Sequence, residues 1–154
     1  MYIKIVLTIA LILLTGCSDS TPPTPKQSGE LLDKLAPGQV WTYQTRLGEE
    51  ASRVIICLIE TEPDIGEVAH IHISNVKIKN RNAPDNITST IWHLPFSADA
   101  LQQSLIELES DGAEVPDFQD GYDQWRAAFD NNEGGVWTLP LSETIDAMEE
   151  MLDN

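Results

Sequence analysis

Val54-Ile55-Ile56-Cys57-Leu58-Ile59 is an unbroken apolar run with four β-branched residues, set between Ser52-Arg53 and Glu60-Thr61. Its length and composition predict a buried central strand over residues 52–61. Glu62-Pro63-Asp64-Ile65-Gly66 follows as a turn. From Glu67 to Lys79 the pattern then alternates. Ala69, Ile71 and Ile73 fall on one side, and His70 and His72 on the other. After Ser74-Asn75 the apolar parity slips by one, to Val76 and Ile78. A single slip within one run is the signature of a β-bulge.

Working outward, Gln39–Leu47 carries Val40, Trp41, Thr42, Tyr43 and Thr45 and predicts another strand, as does Thr88–Leu94. Glu30–Leu35 predicts one or two helical turns, stopped at Pro37-Gly38. The second half changes period. Leu101, Leu105 and Leu108 lie on one helical face of Ala98–Ser110, with Ser97 as N-cap. Tyr122, Trp125 and Phe129 mark a helix over Gly121–Asn131, closed by a left-handed glycine cap in Asn132–Gly135. Val136–Leu139 predicts a short strand. Ser142 caps a last helix with Ile145, Met148 and Leu152 facing inward. Strands first and helices later define an α+β domain: an antiparallel sheet of about four to five strands, covered on one face by two or three helices from the C-terminal half.

The chain has 154 residues with 9 basic and 25 acidic side chains, a formal net charge of −16. That balance argues against nucleic acid as a partner and is compatible equally with a basic protein, with divalent cations or with solubility alone. The start has its own grammar. Met1-Tyr2-Ile3-Lys4 supplies one positive charge, and Ile5–Leu14 runs without any. This is the length of a signal-peptide core and too short to span a bilayer. Ser18–Gly29 is rich in Pro, Ser and Thr, holds no apolar residue, and predicts a semi-extended tether.

Leu14-Thr15-Gly16-Cys17 resembles the lipobox of bacterial lipoproteins. The resemblance implies a signal peptide over 1–16, a lipid-bearing Cys17 that anchors the chain to a membrane, a tether over 17–29 and one globular domain over 30–154. Ser18, rather than Asp, after the cysteine implies the outer membrane facing the periplasm in a Gram-negative host. Cys57, the other cysteine, is then left without an intrachain partner and is expected to be a buried thiol.

Pro37–Arg46, Gly48-Glu49-Glu50 and Ser52–Ile56 also resemble the opening of a family of small bacterial proteins of unknown function. Further echoes are His70-Ile71-His72-Ile73, His93–Ser97, Tyr122–Trp125 and Gly134-Gly135-Val136, so the likeness spans Pro37 to about Ile145. It implies one compact domain and lends no catalytic residues.

Among candidate sites, His70-x-His72 places two imidazoles on one side of a strand. His93 can supply a third metal ligand, with Glu60 or Glu67 as a carboxylate. Two polar side chains on a solvated strand face explain the same pattern. Asp130–Gly135 opens like a calcium loop, but Leu141 stands where the bidentate Glu is required. Glu107, Glu109, Asp111, Glu114, Asp117, Asp120 and Asp123 form an acidic stretch that offers a docking patch for a basic partner. No nucleophile elbow, P-loop or dinucleotide fingerprint occurs. The expectation is a non-enzymatic, lipid-anchored, protein-binding module without a cofactor, in a specific version an immunity-type lipoprotein. The alternative is a metal- or small-ligand-binding protein using His70, His72 and His93.

Overall fold

The computed structural model describes residues 34–153, so the signal segment 1–16, Cys17, the tether 17–29 and most of the turn predicted over 30–35 lie outside the described residues. Five strands form one sheet: β1 (Val40–Tyr43), β2 (Arg53–Glu62), β3 (Gly66–Lys79), β4 (Ile87–Ser97) and β5 (Leu105–Ser110). Their order is β4-β3-β2-β1-β5, every neighbouring pair antiparallel. Helices α1 (Ala98–Ser104), α2 (Gln119–Asp130) and α3 (Leu141–Asp153) complete an α+β domain. None of them is long and apolar enough to cross a membrane.

The central run forms β2 as expected, and β3 pairs with it through the turn at Pro63–Ile65. The bulge predicted at Ser74-Asn75 is present. The β3–β4 register shifts between Ser74 and Ile78, and Asn75 takes φ 57°. The shift returns Val76 and Ile78 to the face already occupied by Ile71 and Ile73. On that face the core gathers Trp41, Tyr43, Val54, Ile56, Phe96 and Ile91, closed by Leu101 of α1 and by Leu141 and Ile145 of α3.

Residues 98–110 depart from the predicted single helix. The helix stops at Ser104, and Leu105–Ser110 becomes the edge strand beside β1. Helical spacing misleads here because a register irregularity between Thr42 and Tyr43 sets Tyr43 opposite Leu105 but Thr42 opposite Glu107. That extra residue lets Leu105 and Leu108, of opposite strand parity, both pack against the core. Ser104 marks the joint. Its carbonyl accepts from Gln44 N at 2.9 Å, and its Oγ accepts from Leu141 N at 2.9 Å, capping α3 from another element.

Smaller differences have local causes. The predicted strand over 39–47 is confined to Val40–Tyr43, because Arg46 turns back onto Glu49. Val136–Leu139 contributes an isolated parallel bridge, Trp137 to Phe96, rather than a strand. Ser97 precedes α1 without a side-chain cap bond. Ser142 lies inside α3, while Ile145 is buried, Met148 packs on the core and Leu152 is exposed. The left-handed residue ending α2 is Asn132, not a glycine. Gly134 instead approaches the helix, where a Cβ would stand 3.1 Å from Phe129 N.

Candidate functional site

The predicted one-sided cover of the sheet is where structure and sequence differ most. Helices α1 and α3 close the apolar face, but α2 lies across the opposite face, over the histidines. His70 is fully buried and His72 nearly so. Their alternation with Ala69, Ile71 and Ile73 therefore marks a second buried layer, not a solvated face. Cys57 is buried as expected, and loss of hydration pushes its thiol up to about 11.

His70 stands at the centre of a polar chain. Its Nε2 lies 2.7 Å from Glu60 Oε1, and its Nδ1 lies 2.9 Å from His93 Nε2. Glu60 accepts further bonds from Arg126 Nη2 at 2.7 Å and from the Tyr122 hydroxyl at 3.2 Å. Burial alone would raise the Glu60 carboxyl. Hydrogen bonds from His70 and Arg126 outweigh it and hold the group below the usual range, as an anion. Burial dominates at the imidazoles and lowers both, His93 to about 4, so each is neutral at pH 7.

These charges fix the tautomers. An ionised Glu60 only accepts, so the proton between it and His70 belongs to Nε2. A neutral His70 then has a bare Nδ1, and His93 must donate from Nε2. The remaining lone pair of the chain is at His93 Nδ1. Among the described residues the buried side-chain atoms without a partner are His72 Nδ1 and Thr144 Oγ1.

Helix α2 supplies the cover. Trp125 packs edge-on against His70 at 4.7 Å between ring centres, and Tyr122 does so at 5.0 Å. The Arg126 guanidinium lies 4.6 Å above the Trp125 ring while bridging Glu60 and Glu62. Gly121 permits the close approach, since a Cβ there would stand 2.6 Å from His93 Cβ. Helix propensity alone would favour Ala over Gly by about 1 kcal/mol. The Gly121→Ala protein is nevertheless expected to lose about 1–2 kcal/mol through overpacking. Urea unfolding measures this, and an unchanged or higher midpoint would contradict the packing.

Beside His93, Trp92, Asp117, Phe118, Asp120, Gly121 and Gln124 line a cavity of about 600 Å³. Trp92 is 62% exposed although it sits in a strand. Its inner edge meets His72 at 5.3 Å between ring centres. The Phe118 ring stacks on His93 at 6.2 Å.

The structure thus joins His93 to His70, adds Glu60 from the predicted carboxylates, and leaves His72 apart beside Trp92. No group of three or more His, Cys, Asp or Glu side chains placed to hold a metal ion occurs among the described residues. Sequence reasoning did not single out Tyr122, Arg126, Trp92, Phe118 or Gly121 for this site. One signal was present: Arg126 is the single basic residue between Asp111 and Asn154. The sequence matches no protein-family model and no curated protein, and the fold matches no solved structure.

Proposed function

We propose that this chain is a lipid-anchored envelope protein, held through Cys17, whose folded domain is a non-enzymatic binding module for a basic protein partner. The anchor rests on the sequence of residues 1–17. The observation that carries the binding role is the Trp92 cavity. A large aromatic side chain stands in solvent at its mouth, with the carboxylates of Asp117 and Asp120 on the same wall. An exposed Trp with acidic neighbours attracts Lys or Arg side chains through ring and charge together.

The immunity-type reading, neutralisation of a toxin delivered to the periplasm, is the specific form this role takes for a small, acidic, anchored domain. In a Gram-negative host the Ser18 signal favours the outer membrane, with the domain facing the periplasm. Pull-down from envelope extracts at low and high salt tests the proposal. A partner held at low salt, released at high salt and bound at least tenfold more weakly by Trp92→Ala is the expected result. Capture that ignores both salt and Trp92 would overturn it.

A further inference from the structure

The two rims of the sheet are built differently. β5 closes one of them with a short strand, Leu105–Ser110, that carries Glu107 and Glu109. β4 forms the other. Its far end is covered: Pro95 O accepts from Trp137 N, and Ser97 N donates to Trp137 O, each at 2.9 Å. From Ile87 to Trp92, no strand, bridge or backbone bond meets the outer side of β4 among the described residues. That stretch, Ile87-Thr88-Ser89-Thr90-Ile91-Trp92, has four β-branched residues and neither a charge nor a proline. Folded proteins ordinarily blunt an exposed edge with a short strand, charge or proline, because its free N–H and C=O groups are a template for another strand. β5 follows that rule, and this part of β4 does not.

We propose that the Ile87–Trp92 edge of β4 receives an extended segment of the partner protein as an added strand, with a Lys or Arg of that segment seated beside Trp92. This rests on the basic-partner reading of the Trp92 cavity and assigns the backbone mode by which that partner binds. One extra residue of β4 lies between the Ile91–Ile73 and Leu94–Ile71 pairs. Trp92 and His93 accordingly both face the α2 side, where they meet His72 and His70. Side chains directly opposite on adjacent strands stand about 5 Å apart at Cβ. The residue of an added strand opposite Trp92 therefore lies against the indole, at a cavity whose wall carries Asp117 and Asp120. A basic side chain there meets ring and carboxylates together. Backbone bonds along the edge supply affinity, and the cavity supplies the choice of side chain.

Charge selects the occupant. A second copy of this chain also offers an uncharged edge, but it brings a net charge of −16 to a net charge of −16. Pairing β4 with β4 would place no basic side chain opposite the indole either, since Ile87–Trp92 contains none. A basic extended segment is attracted from a distance and completes the rim. Ile87 and Trp92, both exposed at the two ends of the stretch, are covered in part by the same added strand.

The test is ¹⁵N NMR and amide exchange at pH 7 on the full chain in detergent. The probe is acetyl-Thr-Val-Lys-Thr-Val-Thr-amide. One control has norleucine for lysine. Two others carry N-methyl groups on alternate peptide nitrogens, one set for each edge of the probe. In the free chain, the outward amides of Ile87–Trp92 should exchange with solvent about tenfold faster, or more, than those bonded to β3. The lysine peptide should bind saturably, move the Trp92 indole line and slow that exchange. Methylation on the edge that meets β4 should weaken binding about tenfold or more, and methylation on the far edge should leave it unchanged. Norleucine should weaken binding about tenfold. If the lysine peptide moves the Trp92 line while both methylated forms bind equally well and the edge amides stay fast, strand addition is overturned and the basic-partner reading stands. If the edge amides slow with the norleucine peptide binding as tightly, the basic occupant is overturned. If no peptide binds, both readings fail. Outward amides already slow in the free chain would overturn the open edge, whether the rest of the chain or a second copy covers it.

Discussion

Arg46→Met is expected to destabilise the domain by about 3 kcal/mol, although Arg46 touches no part of the candidate site. The reason is Glu49, whose side chain is only 2% exposed. Arg46 grips its carboxylate with Nε and Nη2, and Lys77 N donates to the same group at 2.6 Å. Arg46 Nη1 reaches Asp146 at 3.1 Å and Glu149 at 3.2 Å, tying the β1–β2 connection to α3. Removing the guanidinium leaves a buried anion with one backbone donor. A buried ion pair has little net worth against an apolar pair, but half of one is costly. Arg46→Met combined with Glu49→Leu should therefore recover most of the loss. Denaturant unfolding of both proteins checks this; a double variant as unstable as the single one would show that packing, not the orphaned charge, sets the cost.

The second large effect is acid sensitivity. His93 is held at about 4 against 6.5 in the unfolded chain, by burial first and then by the neighbouring His70. Between those pH values the unfolded state binds more protons, so stability is full above pH 6.5 and falls as pH drops towards 4. At 1.36 kcal/mol per unit, His93 alone accounts for about 3 kcal/mol. His70 and His72 are also lowered, chiefly by burial, and add with the same sign. Glu60 is lowered too, its burial outweighed by the bonds from His70 and Arg126. Its contribution therefore has the same sign, is present above its ordinary 4.5 and is lost only as pH falls below it. Urea midpoints between pH 7 and 4 should fall steadily, and His93→Gln should flatten most of that slope. A stability independent of pH over this interval would show that the histidines are not buried neutral.

Much of the fold was legible because β2 and β3 carry their burial pattern openly, the Asn75 bulge included. Leu105 and Leu108 misled for a specific reason: an irregular strand register reproduces helical spacing, and a single sequence carries no sign of which partner straightens it. The site was half legible. The His70-x-His72 alternation located the right face, and Glu60 was among the carboxylates considered. Whether that face meets water depends on where α2 lies, which is a tertiary choice. Nothing local to residues 67–79 announces that Trp125 and Arg126 will cover them.

The placement of β5 has a consequence for the order in which the domain can be completed. β1 is the first strand of the sheet to leave the ribosome or a translocation pore, and its outer neighbour is the last. Thr42 Oγ1 accepts from Glu107 N at 3.1 Å, across sixty-five residues of chain. The meander of β2, β3 and β4 closes through short turns, whereas this pairing must first meet the entropy of a long loop. Until residues 105–110 emerge, the outer edge of β1 has no partner within the sheet, and an unpaired edge is a template for another chain. The strand that finishes the sheet carries Glu107 and Glu109, so once the domain closes, charge replaces an open rim.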